Sequence, residues 1–259
     1  MAGGAYSAIM MTTLRDPEMI HSPIEAALPP RGFEMRRVTT REDWSDVRTL
    51  RFDALRERSE IGDNDEGGYG DDFDAALNTA TFLLMRNARP IASTRSSVSS
   101  ARRRWPLPAS EVYSGEIAAL GADATVVEAS LMVVDPASQV DPKTVLFHLF
   151  KAHMLQCASE NADWLVVAVR DSQIGFYRRM FNMDILSGAE EYAGLASPRV
   201  LMGLEYRAQA ALLFKRMPML AVNDADERDF ATSGLITFPD GRRSPGGKRD
   251  APPHFVAGD

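Results

Sequence analysis

A single cysteine, Cys157, excludes an intramolecular disulfide. The four histidines, His21, His148, His153 and His254, share no short ligand spacing with it, so no metal site is expected. No stretch approaches the roughly 20 consecutive apolar residues of a membrane-spanning helix. The start, MAGGAYSAIMM, has no basic segment leading into a long apolar one, and Ala2 stands where myristoylation requires glycine. The G-x-S-x-G, Walker and dinucleotide fingerprints are missing, which removes the hydrolase elbow and the glycine-cradled phosphate as organising features. Positive charge is in deficit: at a net charge of −7 a nucleic-acid partner is not expected, because such binding rests on Lys and Arg neutralising phosphates. A cytoplasmic, reducing setting fits these absences.

What is present is globular. Apolar residues at 45% and charged residues at 25% allow a full core, and 259 residues suit one domain with tails. Residues 1–32 carry Pro23, Pro29 and Pro30 without periodicity and read as an N-terminal extension. Residues 222–259 are polar and Gly/Pro-rich and read as a C-terminal tail. The domain is therefore expected over 33–221.

Within it, FEMRRV reads as a strand, and Thr39 with Glu42 has the spacing of a capping box before a helix to about Arg58. Trp44, Val47, Leu50 or Arg51, and Leu55 form its apolar stripe. After the acidic, Gly-rich IGDNDEGGYGDD, the segments TATFLLMR and PIASTRSSV read as strands joined through Asn87-Ala88-Arg89. SEVYSGEIAALG reads as a short helix stopped by Gly121, and VVEASLMVV as a buried strand. A helix from about Asp141 has Pro142 in its first turn and Leu146, Leu149, Phe150, His153, Met154 and Cys157 on one face. WLVVAV is a strand covered on both faces, SQIGFYRRMF a short helix, and Met183–Leu186 and Val200–Tyr206 two further strands. The amphipathic stretch 207–217 closes the domain and could rest on a membrane surface without inserting. This order predicts an α/β fold with a mixed central sheet flanked by helices.

Four stretches carry a family resemblance over roughly residues 33–220. Arg48 and Phe52 have the R-x-x-x-F spacing, Asp71-Asp72-Phe73-Asp74 the D-x-[FY]-D pattern, Arg95 ends IASTR, and Glu128 with Ser130 forms E-x-S. In these, and in the F-Y dipeptide of DWLVVAVRDSQIGFYRRMF, the chain resembles the acyltransferases of the N-acetyltransferase superfamily. Within that superfamily it resembles the bacterial branch of N-acyl amino acid synthases and acyl-homoserine lactone synthases. The resemblance implies a GNAT-like single domain that moves a long acyl chain from acyl carrier protein to the α-amine of an amino acid. It implies no tightly bound cofactor, only an acyl-phosphopantetheine thioester as donor. Departures bear on the acceptor: Leu131 and Met132 follow E-x-S where lactone synthases carry Arg and Phe, and Tyr69 replaces an acidic residue. Acylation of an amino acid is therefore favoured over lactone formation. A non-catalytic acyl-binding module of the same fold is the reading from another class.

The donor is read from a turn. Coenzyme A users of the superfamily hold pyrophosphate on a Gly-rich turn, but here it reads Gln139-Val140-Asp141-Pro142-Lys143-Thr144, without glycine and with an aspartate. Carrier protein is expected rather than coenzyme A. Carrier proteins are acidic, and Arg102, Arg103 and Arg104, extended by Arg178 and Arg179, supply a basic dock; a merely solvated charge run is the plainer account.

Each candidate residue has a functional and a structural reading. Glu128, the only carboxylate in an apolar strand, is either a base for the amine or a structural Glu paired with Arg95 or Arg48. Tyr177 either donates a proton to the departing sulfur or packs in the core. Arg95 forks onto the acceptor carboxylate or pairs with Asp71 or Asp74. Those aspartates could instead cap a turn. Arg48, Phe52 and Ser130 are expected beside substrate through the resemblance. His153 is expected to be a satisfied core histidine and Cys157 an inert buried thiol.

Overall fold

The computed structural model describes residues 32–192, 194–233 and 235–236. Eight strands form one mixed sheet. They are β1 (Phe33–Arg37), β2 (Thr79–Arg86), β3 (Arg89–Ser99), β4 (Val126–Val134), β5 (Trp164–Val169), β6 (Asp184–Glu190), β7 (Arg199–Glu205) and β8 (Leu235–Ile236). The order across the sheet is β6-β7-β5-β4-β3-β2-β1-β8. Only the central β4 and β5 run parallel; every other neighbouring pair is antiparallel.

Helices cover both faces. α1 (Arg41–Glu57), two short 3-10 turns (Asp72–Ala75 and Pro108–Glu111) and α2 (Ser114–Ala119) lie on one side. α3 (Pro142–Ser159), α4 (Ile174–Phe181) and α5 (Tyr206–Arg216) lie on the other, followed by α6 (Asp224–Ser233). Strand alternation sorts the core accordingly. Val127, Ala129, Val167 and Met202 meet Phe150, Met154 and Phe181 on the α3 side, while Val126, Val166 and Leu201 meet Leu107, Ala109 and Tyr113 on the other.

Local chemistry explains the element ends. Thr40 caps α1, its hydroxyl accepting from the Asp43 N–H at 3.1 Å, so the cap falls one residue beyond the expected Thr39, and Glu42 takes no part in it. Asp141 caps α3, its carboxylate accepting from both the N–H and the hydroxyl of Thr144 at 2.9 Å. Asn87 and Ala88, both at positive φ (52° and 61°), make the two-residue turn that right-handed strand twist favours between β2 and β3.

Two expectations meet a different arrangement. The polar segment from 222 contains α6 and β8: Lys151 on α3 pairs with Asp226 at 2.9 Å, and β8 extends the sheet beside β1. The tail beyond 236 and the extension before 32 lie outside the described residues. The apolar face of α5 also has an occupant: Leu213 and Met217 are buried in the core, and of its large apolar side chains Leu212 is exposed. The stretch 207–217 thus packs Leu213 and Met217 inward and leaves Leu212 exposed. No helix among the described residues is long and apolar enough to cross one.

The β2–β3 turn yields a stability test. An alanine at φ 61° carries a left-handed strain of roughly 1 kcal/mol that glycine does not. Ala88→Gly should therefore raise the melting temperature by about 2–4 °C, read by calorimetry. An unchanged or lowered melting temperature would show that the turn is not strained there.

Candidate active site

The site exists because two strands part. β4 and β5 are paired only from Val126–Ala129 to Trp164–Val167. Beyond Ala129 the ladder between β3 and β4 slips: Ser93 pairs with Val133 and Arg95 with Ser130, so three steps on β4 oppose two on β3. Leu131 sits in this bulge at φ 46°. The bulge bends β4 away from β5, and a cavity of about 420 Å³ opens between them. Ala129–Val133 line one edge and Val167–Arg170 the other, so peptide groups that would pair in a continuous sheet face the cavity.

On the α1 side an ion network closes the cavity. Arg95 donates from Nη1 to Asp71 and, at 3.2 Å, to Asp74, and from Nε to the Ser130 hydroxyl at 3.0 Å. Arg51, fully buried on α1, donates to Asp74 at 2.7 Å and to Thr81 at 3.4 Å. Asp71 also caps the 3-10 turn, accepting from the Phe73 N–H at 3.0 Å. Burial alone would raise the Asp74 pKa, but the Arg51 and Arg95 guanidiniums outweigh it and hold the carboxyl below its usual value. Burial acts against the charge on Arg95 too, and there the two aspartates win, keeping it firmly protonated.

Glu128 lies behind this wall, fully buried. Its Oε2 accepts from the Ala109 N–H at 2.8 Å and its Oε1 from the Tyr192 hydroxyl at 3.4 Å. Tyr192 lines the cavity, so its phenol is the link between the carboxylate and the open space. Burial pushes the Glu128 pKa from 4.5 up to about 7, with the Ala109 hydrogen bond and the Arg95 charge pulling back. Neither Arg95 nor Arg48 forms an ion pair with it.

Tyr177 reaches the cavity from α4 on the opposite face, with its ring packed among Phe150, Phe176 and Phe181. It is both a core aromatic and a cavity residue. Burial raises its pKa, so the phenol stays protonated.

Of the expected residues, Asp71, Arg95, Ser130 and Tyr177 line one cavity, with Glu128 and Asp74 directly behind. Arg48 and Phe52 do not. Arg48 bonds the exposed Glu66 at 2.8 Å, and Phe52 is buried with Arg56 over its ring. The helix arginine that joins the network is Arg51, one turn from Val47 and Leu55 on the buried stripe. Arg102, Arg103 and Arg104 are exposed on a tight turn in which Ser100 and Arg103 exchange backbone hydrogen bonds at 3.0 Å. That turn leads into Leu107 and Ala109 on one face of the sheet, whereas Arg178 and Arg179 ride on α4 on the other, so the sheet separates the two sets. His153 is held between Thr94 at 2.8 Å and Ser96 at 2.6 Å, and burial drops its pKa to about 3. Cys157 is buried with a raised pKa. No group of three or more His, Cys, Asp or Glu among the described residues could hold a metal.

A bulged β4 splayed from a parallel β5, with a buried carboxylate on one side and a phenol on the other, defines an acyltransferase of the N-acetyltransferase fold. The chain belongs to the N-acyl amino acid synthase FeeM family, whose model matches residues 46–205. The structure of FeeM itself, an N-acyl amino acid synthase from uncultured soil microbes, is 15% identical at a TM-score of 0.57, covering 67% of this chain and 91% of that one. The CoA-dependent acyl-homoserine lactone synthase BjaI is similar at 16% identity and TM-score 0.53, over 74% of this chain and 92% of that one. The AHL synthase LasI is similar at 12% identity and TM-score 0.51, over 79% and 95%. No curated protein sequence matches the chain. The family makes the protein an N-acyltransferase.

The network separates the two α1 arginines experimentally. Removing Asp74 leaves a buried Arg51 without its carboxylate, a change that typically costs about 3–5 kcal/mol. Asp74→Ala should therefore be severely destabilised in urea titration, while Arg48→Ala, at an exposed pair, should shift stability by less than about 1 kcal/mol. Equal losses would mean that Arg51 and Asp74 are not the structural pair.

Proposed function

We propose that the protein transfers a long acyl chain from acyl carrier protein to the α-amine of an amino acid, forming an N-acyl amino acid. The observation that carries this reading is Glu128: a carboxylate with a pKa near neutrality, sealed from solvent and linked through the Tyr192 hydroxyl to the gap where a thioester fits. An incoming ammonium must lose a proton before it can attack, and Glu128 takes that proton through Tyr192. The nitrogen then bonds to the thioester carbon. The oxyanion faces the peptide N–H groups freed on the bulged edge of β4. As the C–S bond breaks, Tyr177 hydrogen-bonds the departing sulfur, where the second nitrogen proton ends as the neutral thiol. With its pKa raised, Tyr177 serves the sulfur better as a hydrogen-bond donor than as an acid.

The bulge bears on the acceptor. Leu131 and Met132 place apolar side chains along the cavity, where the lactone-synthase pattern would place Arg and Phe, and this supports an amino acid acceptor. Lipid extracts of a bacterium expressing the chain should contain long-chain N-acyl amino acids and little lactone by mass spectrometry. Acyl-homoserine lactones alone would overturn the assignment, and neither product from soluble protein would favour an acyl-binding module.

Glu128 makes a pH-dependent prediction. The native state binds its proton more tightly than the unfolded chain, so its burial lowers stability as pH rises from 4.5 to about 7. Turnover should rise through about pH 7 as the base ionises. Glu128→Gln should cut turnover roughly 100- to 10,000-fold and abolish the stability slope. A folded variant with near-native rates would leave Glu128 a structural role only.

The donor reading is supported at α3. Its first N–H groups face a carboxylate, since Asp141 occupies the cap and Pro142 has no N–H to give. Pyrophosphate would meet a negative charge there. BjaI, by contrast, is CoA-dependent, so the fold itself does not choose the donor. Reversing Arg102, Arg103 and Arg104 to Glu should raise KM for the carrier-bound donor, flatten its salt dependence and spare a short pantetheine thioester. Unchanged carrier kinetics would remove the dock, and equal use of acyl-coenzyme A would remove the donor assignment.

A further inference from the structure

The cavity has a second charged end that the reaction scheme leaves unused. Arg58, just past α1, lines it; its backbone N–H donates to the Arg56 carbonyl, but its guanidinium makes no hydrogen bond or ion pair among the described residues. Arg170, at the end of β5, approaches Glu60 only to 3.6 Å. Arg199 holds the other oxygen of Glu60 at 3.0 Å and donates to the Ser197 and Pro198 carbonyls at 2.6 and 3.3 Å. Arg170 and Arg199 thus share Glu60, while Arg58 feels Glu57 and Glu60 without an ion pair to either, so three guanidiniums at this end meet two carboxylates. The Arg95 end is balanced, with Arg51 and Arg95 against Asp71 and Asp74. A cation at the C-terminus of α1 suits the helix dipole, but that does not explain its place on a cavity wall beside a second arginine.

We infer that Arg58 and Arg170 hold the carboxylate of the acceptor amino acid, and that Arg95 positions the wall instead. The inference rests on the acyltransferase reading above. Guanidinium forks match a carboxylate's two oxygens, and an under-compensated pair in a partly closed cavity gains most from an anion that arrives with the substrate. The donor does not supply that anion: its arm carries neutral amides near the thioester, and its phosphate sits at the far end of the arm. An α-amino acid separates carboxylate from nitrogen by one carbon. Holding the first therefore fixes the second near the edge of β4.

The test compares two acceptors in the full-length enzyme: the amino acid recovered in the product and the amine left by its decarboxylation. Arg58→Gln should raise KM for the amino acid about 10- to 100-fold. It should leave KM for the donor and KM for the plain amine unchanged, and a native melting curve shows that the variant is folded. Arg170→Gln should act in the same direction, and Arg58→Lys should restore part of the loss. A preference for the amino acid that survives Arg58→Gln, or a rise in donor KM instead, would overturn the assignment alone. A wild-type enzyme that acylates the plain amine as readily would overturn both the assignment and the acceptor reading on which it rests.

Discussion

The site hangs on the guanidinium of Arg95. From one buried side chain on β3 it reaches the Ser130 hydroxyl at the bulge and the two aspartates of the 3-10 turn, with Phe73 lying under its carbon. A charge so enclosed is tolerable only because its partners are fixed. Asp74 is fixed by Arg51 and Asp71 by the turn it caps. The segment from Tyr69 to Phe73, which has no strand to hold it, thereby becomes a rigid cavity wall. The bulge that opens the gap and the arginine that ties its rim meet at a single β3–β4 pairing, Arg95 with Ser130.

How much of this the sequence discloses depends on the distance over which the information acts. VVEASLMVV and WLVVAV coincide with β4 and β5, because an apolar run bounded by turn residues leaves few alternatives. Pro142 and Asp141 locate the start of α3 for an equally local reason. Motif spacing and helical phase single out different residues of α1. Arg48 and Phe52 fit the pattern, yet helical phase puts Arg51 on the buried stripe with Val47 and Leu55, and a buried arginine is the one that needs a carboxylate such as Asp74. Tyr192 carries no periodic signal at all, lying in the connection after β6 and meeting Glu128 across 64 residues of chain. The C-terminal segment reads as tail by composition, and contacts distant in sequence, Lys151 with Asp226 75 residues on and β8 beside β1, reveal that it docks.

Electrostatic balance divides the labour within the cavity. Opposed charges in equal number at the Arg95 end give a wall that is structured but nearly neutral as a whole. Glu128, a short way behind it, is not stabilised as an anion by any ion pair and keeps a pKa near 7. Had Arg95 been free to pair with it, the carboxylate would have stayed ionised at a much lower pH and would have been a weak base. On the proposed reading of Glu128 as the base, the aspartates matter to the chemistry for that reason, although neither needs to touch the reacting atoms: they engage the cation that would otherwise quench it.

In the proposed mechanism the sheet then separates donor from acceptor. Tyr177 arrives from α4 and the α3 face; Tyr192 and the aspartates stand on the α1 face. The gap between β4 and β5 is the passage joining the two sides, and its edges are backbone rather than side chain. A thioester threaded from the α3 side would present its carbonyl to the bulged edge while an amine approaches from the charged side. In that geometry the carbon under attack lies between the base and the leaving-group donor. On the proposed donor reading, an exposed basic turn on one face and arginines on α4 on the other need not act as one surface, because a carrier protein would deliver its arm from a single side of the sheet. Which arginine set governs carrier kinetics therefore reports the face from which the arm enters.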